Sequence, residues 1–392
     1  MAVRAESRYT VAVGGVPGVS IARSRESVST PRRCRISVAV VGVCLVMDKR
    51  KIGFRRVGMV VFGSFLLVAL TSHLAAQEPL WCDYPAPTES PQQGKKIVLI
   101  SGDEEYRSEE ALPMLGQILA RRHGFDCRVL FAINPQDGTI DPNCQQNIPG
   151  MEALASADLV VMALRFRQLP DEQMKYFDEY LRAGKPILGL RTSTHAFRYP
   201  ADCESPFARY SFDSATWPGG FGKQVLGETW ISHHGHHKKE STRGVIEPAQ
   251  RAHPILRGVT DVWGPTDVYG IGNLPEGCEV LLRGQVLVGM DPSDTPVVGE
   301  KNDPMMPLAW VRNYQVSDDR SARIFCTTLG ASQDFLSEGS RRLVVNACYW
   351  CLGLEAKIEP GSNVDFVSEY SPTPYGFDSF VPDRRPRDHA WK

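Results

Sequence analysis

The chain has 392 residues, 42 % of them hydrophobic and 23 % charged, proportions that fit one large globular domain or two modest ones and exclude disordered and collagenous chains. Its 44 Lys and Arg against 45 Asp and Glu leave a formal net charge of −1. The basic excess that a phosphate backbone demands is missing, so nucleic acid is not the expected partner.

The basic residues crowd the start of the chain, with arginines from Arg4 to Arg35 and then Lys49, Arg50, Lys51, Arg55 and Arg56. Without that stretch the remainder is acidic. Residues 57–70 carry no charge and match a signal core better than a membrane span, and the small Ala75 and Ala76 follow. This order predicts a secretory signal over residues 47–76, with a short membrane anchor as the alternative. Residues 1–46 fit neither signal nor domain and read as an over-long start or an extended targeting region. The expectation is an exported chain, periplasmic or extracellular, with no membrane span after processing.

Residues 77–94 read as a Pro-rich spacer, and periodicity begins at Lys95. The apolar run 97–100 ends in Ser101 and Gly102 and predicts a strand buried on both faces. Ser108 is placed to cap a helix with Glu109 and Glu110 in its positive first turn and Gly124 at its end. Further strands are predicted at 128–133, 159–164 and 186–190. Between the last two, Met174, Phe177, Tyr180 and Leu181 recur at helical spacing over 171–183. Strands alternating with helices imply crossovers, hence an α/β fold with a doubly wound parallel sheet. Ligands of such sheets bind beyond the carboxyl ends of the strands.

The rhythm breaks from residue 201 to about 303, where Gly and Pro are frequent and a strand pair over 279–290 is expected to turn at Gly284. This is an inserted irregular and β region. Alternation resumes at 309–314 and 323–327, and a helix over 338–353 closes the domain, placed at 95–355. The tail, 356–392, is rich in Pro, Gly and aromatics without a period, and is expected to wrap the surface or stay loose. Eight cysteines run from Cys82 to Cys351, and their pairing cannot be read from sequence. Cys348 and Cys351 form a CxxC motif late in an apolar helical stretch, which favours core packing over redox chemistry.

The loops that follow the predicted strands hold the candidate chemistry. After the first come Asp103, Glu104, Glu105, Tyr106 and Arg107, then Arg165 and Arg167, then Arg191, Thr194 and His195, and after the late strand Ser332. Guanidinium groups and hydroxyls beside carboxylates suit a polyhydroxylated or anionic small molecule. Asp103, Arg191 and His195 are the candidates for catalysis, and Glu105, Tyr106, Arg165, Arg167, Thr194 and Ser332 for substrate binding. Structural ion pairs and solvated helix-start acids are the plainer alternatives. The segment 233–237 holds four of the nine histidines. Were it extended, His234 and His236 would face one way and could hold a divalent metal such as zinc, with His195, His253 or an acid completing the set. A hydrated histidine loop, or a metal-free cluster lining a sugar site, fits the same residues. Trp230, Trp263 and Tyr269 could stack on a sugar ring.

Several fragments, in order, resemble the ThuA-like (trehalose-utilisation) family: the first strand with its polar loop, Gly189-Leu190 with Thr194-His195-Ala196-Phe197, His253-Pro254-Ile255, Asp267-Val268-Tyr269, Pro307-Leu308-Ala309-Trp310 and the run from Arg323 to Gly330. The resemblance covers about 95–354 and implies the flavodoxin-like core of class I glutamine amidotransferases. It adds Asp267 and Tyr269 to the substrate-binding candidates. Amidotransferases place a cysteine at the elbow after a central strand and a histidine after a late one, where this chain has Arg191 and Ala331. Glutamine hydrolysis through a thiolate is therefore not expected. The resemblance points to an exported protein acting on a sugar or oxidised sugar by acid/base or metal-assisted chemistry, the alternative being a non-catalytic carbohydrate-binding or scaffolding protein.

Overall fold

Continuous apolar runs become the central strands because both their faces are covered. The computed structural model describes residues 78–391, Pro91 and Gln93 excepted, so the expected signal at 47–76 and everything before it lie outside the described residues. Strand β2 (Lys96–Gly102) is followed by helix α1 (Ser108–Arg121) and β3 (Asp126–Phe131), then β4 (Leu159–Leu164), helix α2 (Asp171–Arg182) and β5 (Ile187–Leu190). Later come β6 (Thr242–Ile246), β7 (Trp263–Gly264), β8 (Glu279–Val286), β9 (Met306–Ser317), β10 (Arg320–Thr327) and helix α3 (Glu338–Cys351). A short strand, β1 (Trp81–Tyr84), precedes them all.

These strands form one mixed sheet in the order β1-β3-β2-β4-β5-β10-β9-β8-β6-β7. β3, β2, β4, β5 and β10 are parallel, while β1 and the run β9-β8-β6-β7 are antiparallel additions at the two edges. Alternate residues of β2 enter different cores. Ile97 and Leu99 join α1 and α3, whereas Val98 and Ile100 join α2. Helices thus lie on both faces. Among the described residues, no helix is long and apolar enough to cross a membrane.

Three local expectations need correction. The spacer contains β1, whose Trp81 to Tyr84 pair with Leu130 to Cys127. The helix α1 is not capped by Ser108: the cap position is Arg107, in the left-handed region at φ 57°, and Ser108 lies inside the helix with its hydroxyl 2.8 Å from that of Ser101. Residues 279–290 are not a hairpin, because β8 runs straight through Gly284, which faces Gly244 of β6. A side chain at Gly284 would press on Val268, 3.0 Å from an added Cβ, so that glycine relieves crowding and does not turn the chain. Cys326, Cys348 and Cys351 are all buried core residues.

Among the described residues the tail crosses the domain without α-helix or strand, its one regular element near the end being a short 3-10 turn, Pro386–His389. Tyr370 donates its hydroxyl to Ser332 O (2.8 Å), Gly376 N–H to Glu105 O (2.7 Å), and Tyr84 its hydroxyl to His389 O (2.6 Å). Trp391 ends against Tyr84, ring centroids 5.1 Å apart.

Candidate functional site

β5 ends at Leu190, and the chain turns at once into a 3-10 turn, Arg191–His195. Arg191 has φ 37°, a left-handed conformation that costs a side-chain-bearing residue about 1–3 kcal/mol. Its N–H donates to Leu329 O (3.2 Å), and Gly330 approaches so closely that an added Cβ would lie 3.1 Å from that nitrogen. The sharp elbow is therefore present, but it presents a guanidinium and buries it.

A buried cation must find partners for its charge and its N–H groups. Arg191 donates through Nη1 to Thr328 O (2.8 Å) and Asp267 O (3.2 Å), and through Nη2 to Asp267 Oδ1 (3.1 Å) and the Tyr106 hydroxyl (3.2 Å). It also lies over the rings of Tyr106 and Tyr269, 4.1 and 4.3 Å from their centroids, where the ring quadrupole favours a cation. Asp267 is buried too. Burial opposes its charge, yet hydrogen bonds from His233 and His237 and the charge of Arg191 hold its carboxyl well below the usual range.

The loop after β2 is built around Asp103, buried at 1 % exposure. Its Oδ1 accepts the N–H groups of Glu105 (2.8 Å) and Tyr106 (2.9 Å), and its Oδ2 accepts the Thr192 hydroxyl. Such a carboxylate ties two loops together, with three of its roughly four acceptor positions filled from within the protein. Arg167 is similarly consumed: it donates to Glu104 Oε2 (2.7 Å) and to the carbonyls of Pro142, Cys144 and Arg165. Arg165 differs. It pairs with Glu104 and lies 3.9 Å from Glu105, but its side chain keeps 17 % of its surface open, between the rings of Phe166 and Phe377.

The histidine segment is a turn and not an extended strand. The N–H groups of His234 and Gly235 both donate to Val268 O (2.8 and 3.1 Å), and Lys239 and Glu240 close a helical turn on His236 O. This geometry corrects the expected pairing. His234 turns away to Lys301 O (2.8 Å), while His236 is exposed with its N–H on Glu240. The pair that converges is His233 and His237, whose rings are 4.8 Å apart. His233 Nδ1 meets Asp267 Oδ2 at 2.6 Å. His237 Nδ1 meets Asp267 Oδ1 at 3.0 Å, and its Nε2 meets Glu105 Oε1 at 3.2 Å.

Because both nitrogens of His237 face carboxylates, both carry protons. These hydrogen bonds, to Asp267 first and then Glu105, raise its pKa from 6.5 to about 9. Glu105 in turn is held below its ordinary value: burial opposes its charge, but the His237 bond and the nearby Arg165 and Arg191 outweigh it. For His233, the ionised Asp267 can only accept, so Nδ1 is the donor and Nε2 is the nitrogen that faces away from the carboxylate. Among the described residues no protein group is bonded to that nitrogen, and 35 % of the side chain is open to solvent.

His195 lies behind this cluster. Burial, then the charges of Arg165 and Arg191, hold its imidazole neutral, well below the ordinary value. Its Nδ1 is 3.2 Å from the Thr194 hydroxyl, and its ring lies 5.0 Å from Phe166 and 5.6 Å from Trp230. Ser332 anchors the chain, with its N–H on Tyr106 O (3.0 Å) and its carbonyl taken by Tyr370. Tyr269 is buried under Arg191, and Trp263 bonds Ser241 in a hollow on the far side of Tyr375. Of the three expected stacking rings, Tyr269 and Trp230 border His233, with centroids 5.5 and 5.9 Å from its ring, and Trp263 does not.

The fold thus brings Glu105, Tyr106, Arg191, Asp267 and Tyr269 together with His233 and His237, and sets Arg165 at the rim. Asp103, Arg167 and Ser332 are buried, with their polar groups bonded within the protein. Sequence reasoning passed over His233, His237, Glu104 and the tail residues Tyr375 and Phe377. The i, i+4 spacing of His233 and His237 around Gly235 was the available signal for the first two, since a turn superposes such positions. The tail offered none.

The family model described as trehalose utilisation, ThuA, matches residues 97–351. In structure the chain is similar to a putative ThuA-like protein from Parabacteroides merdae, 14 % identical with a TM-score of 0.43 over 76 % of this chain and 99 % of that one. It is also similar to one from Bacteroides uniformis, 15 % identical with a TM-score of 0.41 over 71 % and 98 %. No curated protein matches. The family match runs from β2 to the end of α3 and takes in every loop of the cluster except the tail, so the chain belongs to the ThuA, trehalose-utilisation, family.

Proposed function

We propose that this protein acts on a sugar or oxidised sugar by acid/base chemistry, with His233 as the general base. The observation that carries the reading is the His233–Asp267 pair: a buried, ionised carboxylate 2.6 Å from Nδ1 and an unbonded Nε2 on a part-exposed ring. Asp267 fixes the tautomer and would stabilise the imidazolium formed when Nε2 takes a proton from a sugar hydroxyl or from a carbon beside a keto group. Arg191 and His237 share the charge of Asp267, which keeps that carboxylate ionised through the step. Trp230 lies against His233 (5.9 Å), Glu105 against His237 (3.2 Å) and Arg165 beside Glu105 (3.9 Å), a mix of ring and charge that suits a polyhydroxylated ligand.

A second reading has one observation in its favour: His233, His237 and Asp267 each offer a ligand atom, all within 4.8 Å of one another. A divalent ion held there would supply Lewis-acid polarisation of a sugar carbonyl or hydroxyl. His237 would first have to give up protons that two carboxylates now hold, and Arg191 already places a positive charge on Asp267. The proton-carrying form is favoured on that ground.

The finer assignments belong to the same reading. We read the parallel order β3-β2-β4-β5-β10 as doubly wound and flavodoxin-like, a pattern in which ligands lie where the order reverses beside the first strand. The domain is placed at 95–355, and export follows from the basic, apolar and small-residue order before Gln77. Arg191 at the elbow leaves no thiolate there for glutamine hydrolysis.

The test is turnover of mono- and disaccharides and their keto forms by the wild type and His233→Asn. Loss of a positioned base should lower kcat roughly 10²- to 10⁴-fold with little change in thermal midpoint, because His233 is part-exposed. Full activity in His233→Asn would sink the assignment. Saturable binding without turnover in either protein would make this a carbohydrate-binding protein instead.

A further inference from the structure

The family match stops at residue 351, yet one wall of the site comes from the tail beyond it. Thr373 is fixed by its N–H and hydroxyl to Glu110 (2.8 and 2.7 Å). Tyr375 stacks on Tyr106 with centroids 5.5 Å apart, donates its hydroxyl to Pro265 O (3.2 Å), and meets His237 edge-on at 5.6 Å. Gly376 N–H donates to Glu105 O (2.7 Å). The next residue, Phe377, is thereby carried out over Arg165, its centroid 5.0 Å from the guanidinium carbon.

Phe377 is 54 % exposed, and a single exposed apolar residue is ordinary. Its surroundings are not. The residue before it is tied to Glu105, the one after it, Asp378, accepts from Asn143 (3.3 Å), and the cation it touches is held by Glu104. An apolar ring is therefore held against the part-open guanidinium of Arg165, two residues along the tail from Tyr375, which meets the half-open His237. A pyranose has that same division, a flat C–H face and a rim of hydroxyls.

We infer that Phe377 is the platform on which a pyranose ring lies, and that the tail thereby sets which carbohydrate the site accepts. This deepens the carbohydrate reading above and rests on it. An open-chain polyol carries the same hydroxyls without the flat face, so the ring should separate the two.

The experiment measures binding of D-glucose, trehalose, their keto forms and D-glucitol to the full chain. The variants are Phe377→Ala, Phe377→Trp, His233→Asn and the tail control Val381→Ala, a residue 39 % exposed on the other side of the tail. Phe377→Ala should weaken the cyclic ligands roughly three- to tenfold and leave D-glucitol unchanged, the size of one aromatic contact. Phe377→Trp should retain cyclic binding, and Val381→Ala should match the wild type. If His233→Asn impairs the protein while Phe377→Ala binds cyclic sugars as well as the wild type, the platform is disproved and the site reading stands. Equal losses for cyclic sugars and D-glucitol would also overturn it, since Phe377 would then only shape the loop. If the wild type binds none of these ligands, or neither variant differs from it, both the carbohydrate reading and the platform fall.

Discussion

Two short segments carry the histidines of this site, and they have opposite fates. The elbow turn, Arg191–His195, is buried throughout, and there Arg191 is spent on Asp267, Thr328 and two tyrosine rings while His195 is held neutral among aromatics. The segment from His233 to His237 belongs to the inserted region and stays half open, so its imidazoles keep or share protons with carboxylates. Burial converts the charged residues of the elbow into scaffold. The chemistry that remains accessible is delivered by the irregular insert and, at the rim, by the tail.

Removing the elbow's charge gives the largest effect and the sharpest form of that contrast. Arg191→Met leaves Asp267 buried with one fewer partner and should cost about 3–5 kcal/mol, the usual penalty for stranding half of a buried pair. Arg165→Met, at the rim, leaves Glu104 still paired with Arg167 and should cost less, about 1.5–3 kcal/mol. Urea midpoints of the two variants check this. Similar losses would mean that the elbow and the rim are not distinguished by burial.

The central strands were legible because strands covered on both faces must be apolar runs, as at 97–100, 159–164 and 187–190. β1 was hidden, since an edge strand of four residues beside a proline-rich stretch carries little pattern. β8 was misread because a glycine in a strand looks like a turn when its crowding partner, here Val268, is distant in sequence. The site divides the same way. Topology put the loops of Asp103, Arg165 and Arg191 at one edge of the sheet, but their ranking depended on burial, which sequence does not display. Asp103, a candidate acid by its place in the loop, is buried and braces that loop and Thr192. His233 and His237 were lost to a register that is set by two backbone bonds to Val268 O.

The two segments should also answer pH with opposite signs. His237 has its pKa raised from 6.5 to about 9, so its stabilisation is complete below about pH 6.5, declines as the pH rises and is gone above about 9. At a half-open position solvent screening limits this to about 1 kcal/mol. His195 is held neutral, its pKa well below the ordinary value, so the unfolded chain takes up a proton first and stability falls as the pH drops below about 6.5. Unfolding curves between pH 5 and pH 9.5 should show that His237→Gln flattens the alkaline slope and His195→Phe the acid one. If His237→Gln left the alkaline slope intact, His237 would not be the bridging cation described here.

The smallest effect concerns His234 and His236. As alternate residues of an extended strand they would share a face, and changing both to Ala would empty any site they formed. In the turn that the segment adopts, His234 holds only Lys301 O and His236 points to solvent. Their double replacement should cost one surface hydrogen bond, about 0.5–1 kcal/mol, and leave sugar turnover within about twofold. The companion variant, His233→Ala with His237→Ala, removes both imidazoles from Asp267 and should abolish turnover. Divalent-metal content, measured on both double variants after loading with zinc, reports on the register independently of activity. Zinc retained by the first pair and lost by the second would place any ion at Asp267. Zinc lost with His234 and His236 alone would show that the segment binds metal in an extended form, and the turn closed on Val268 would then not be the state that holds the ion.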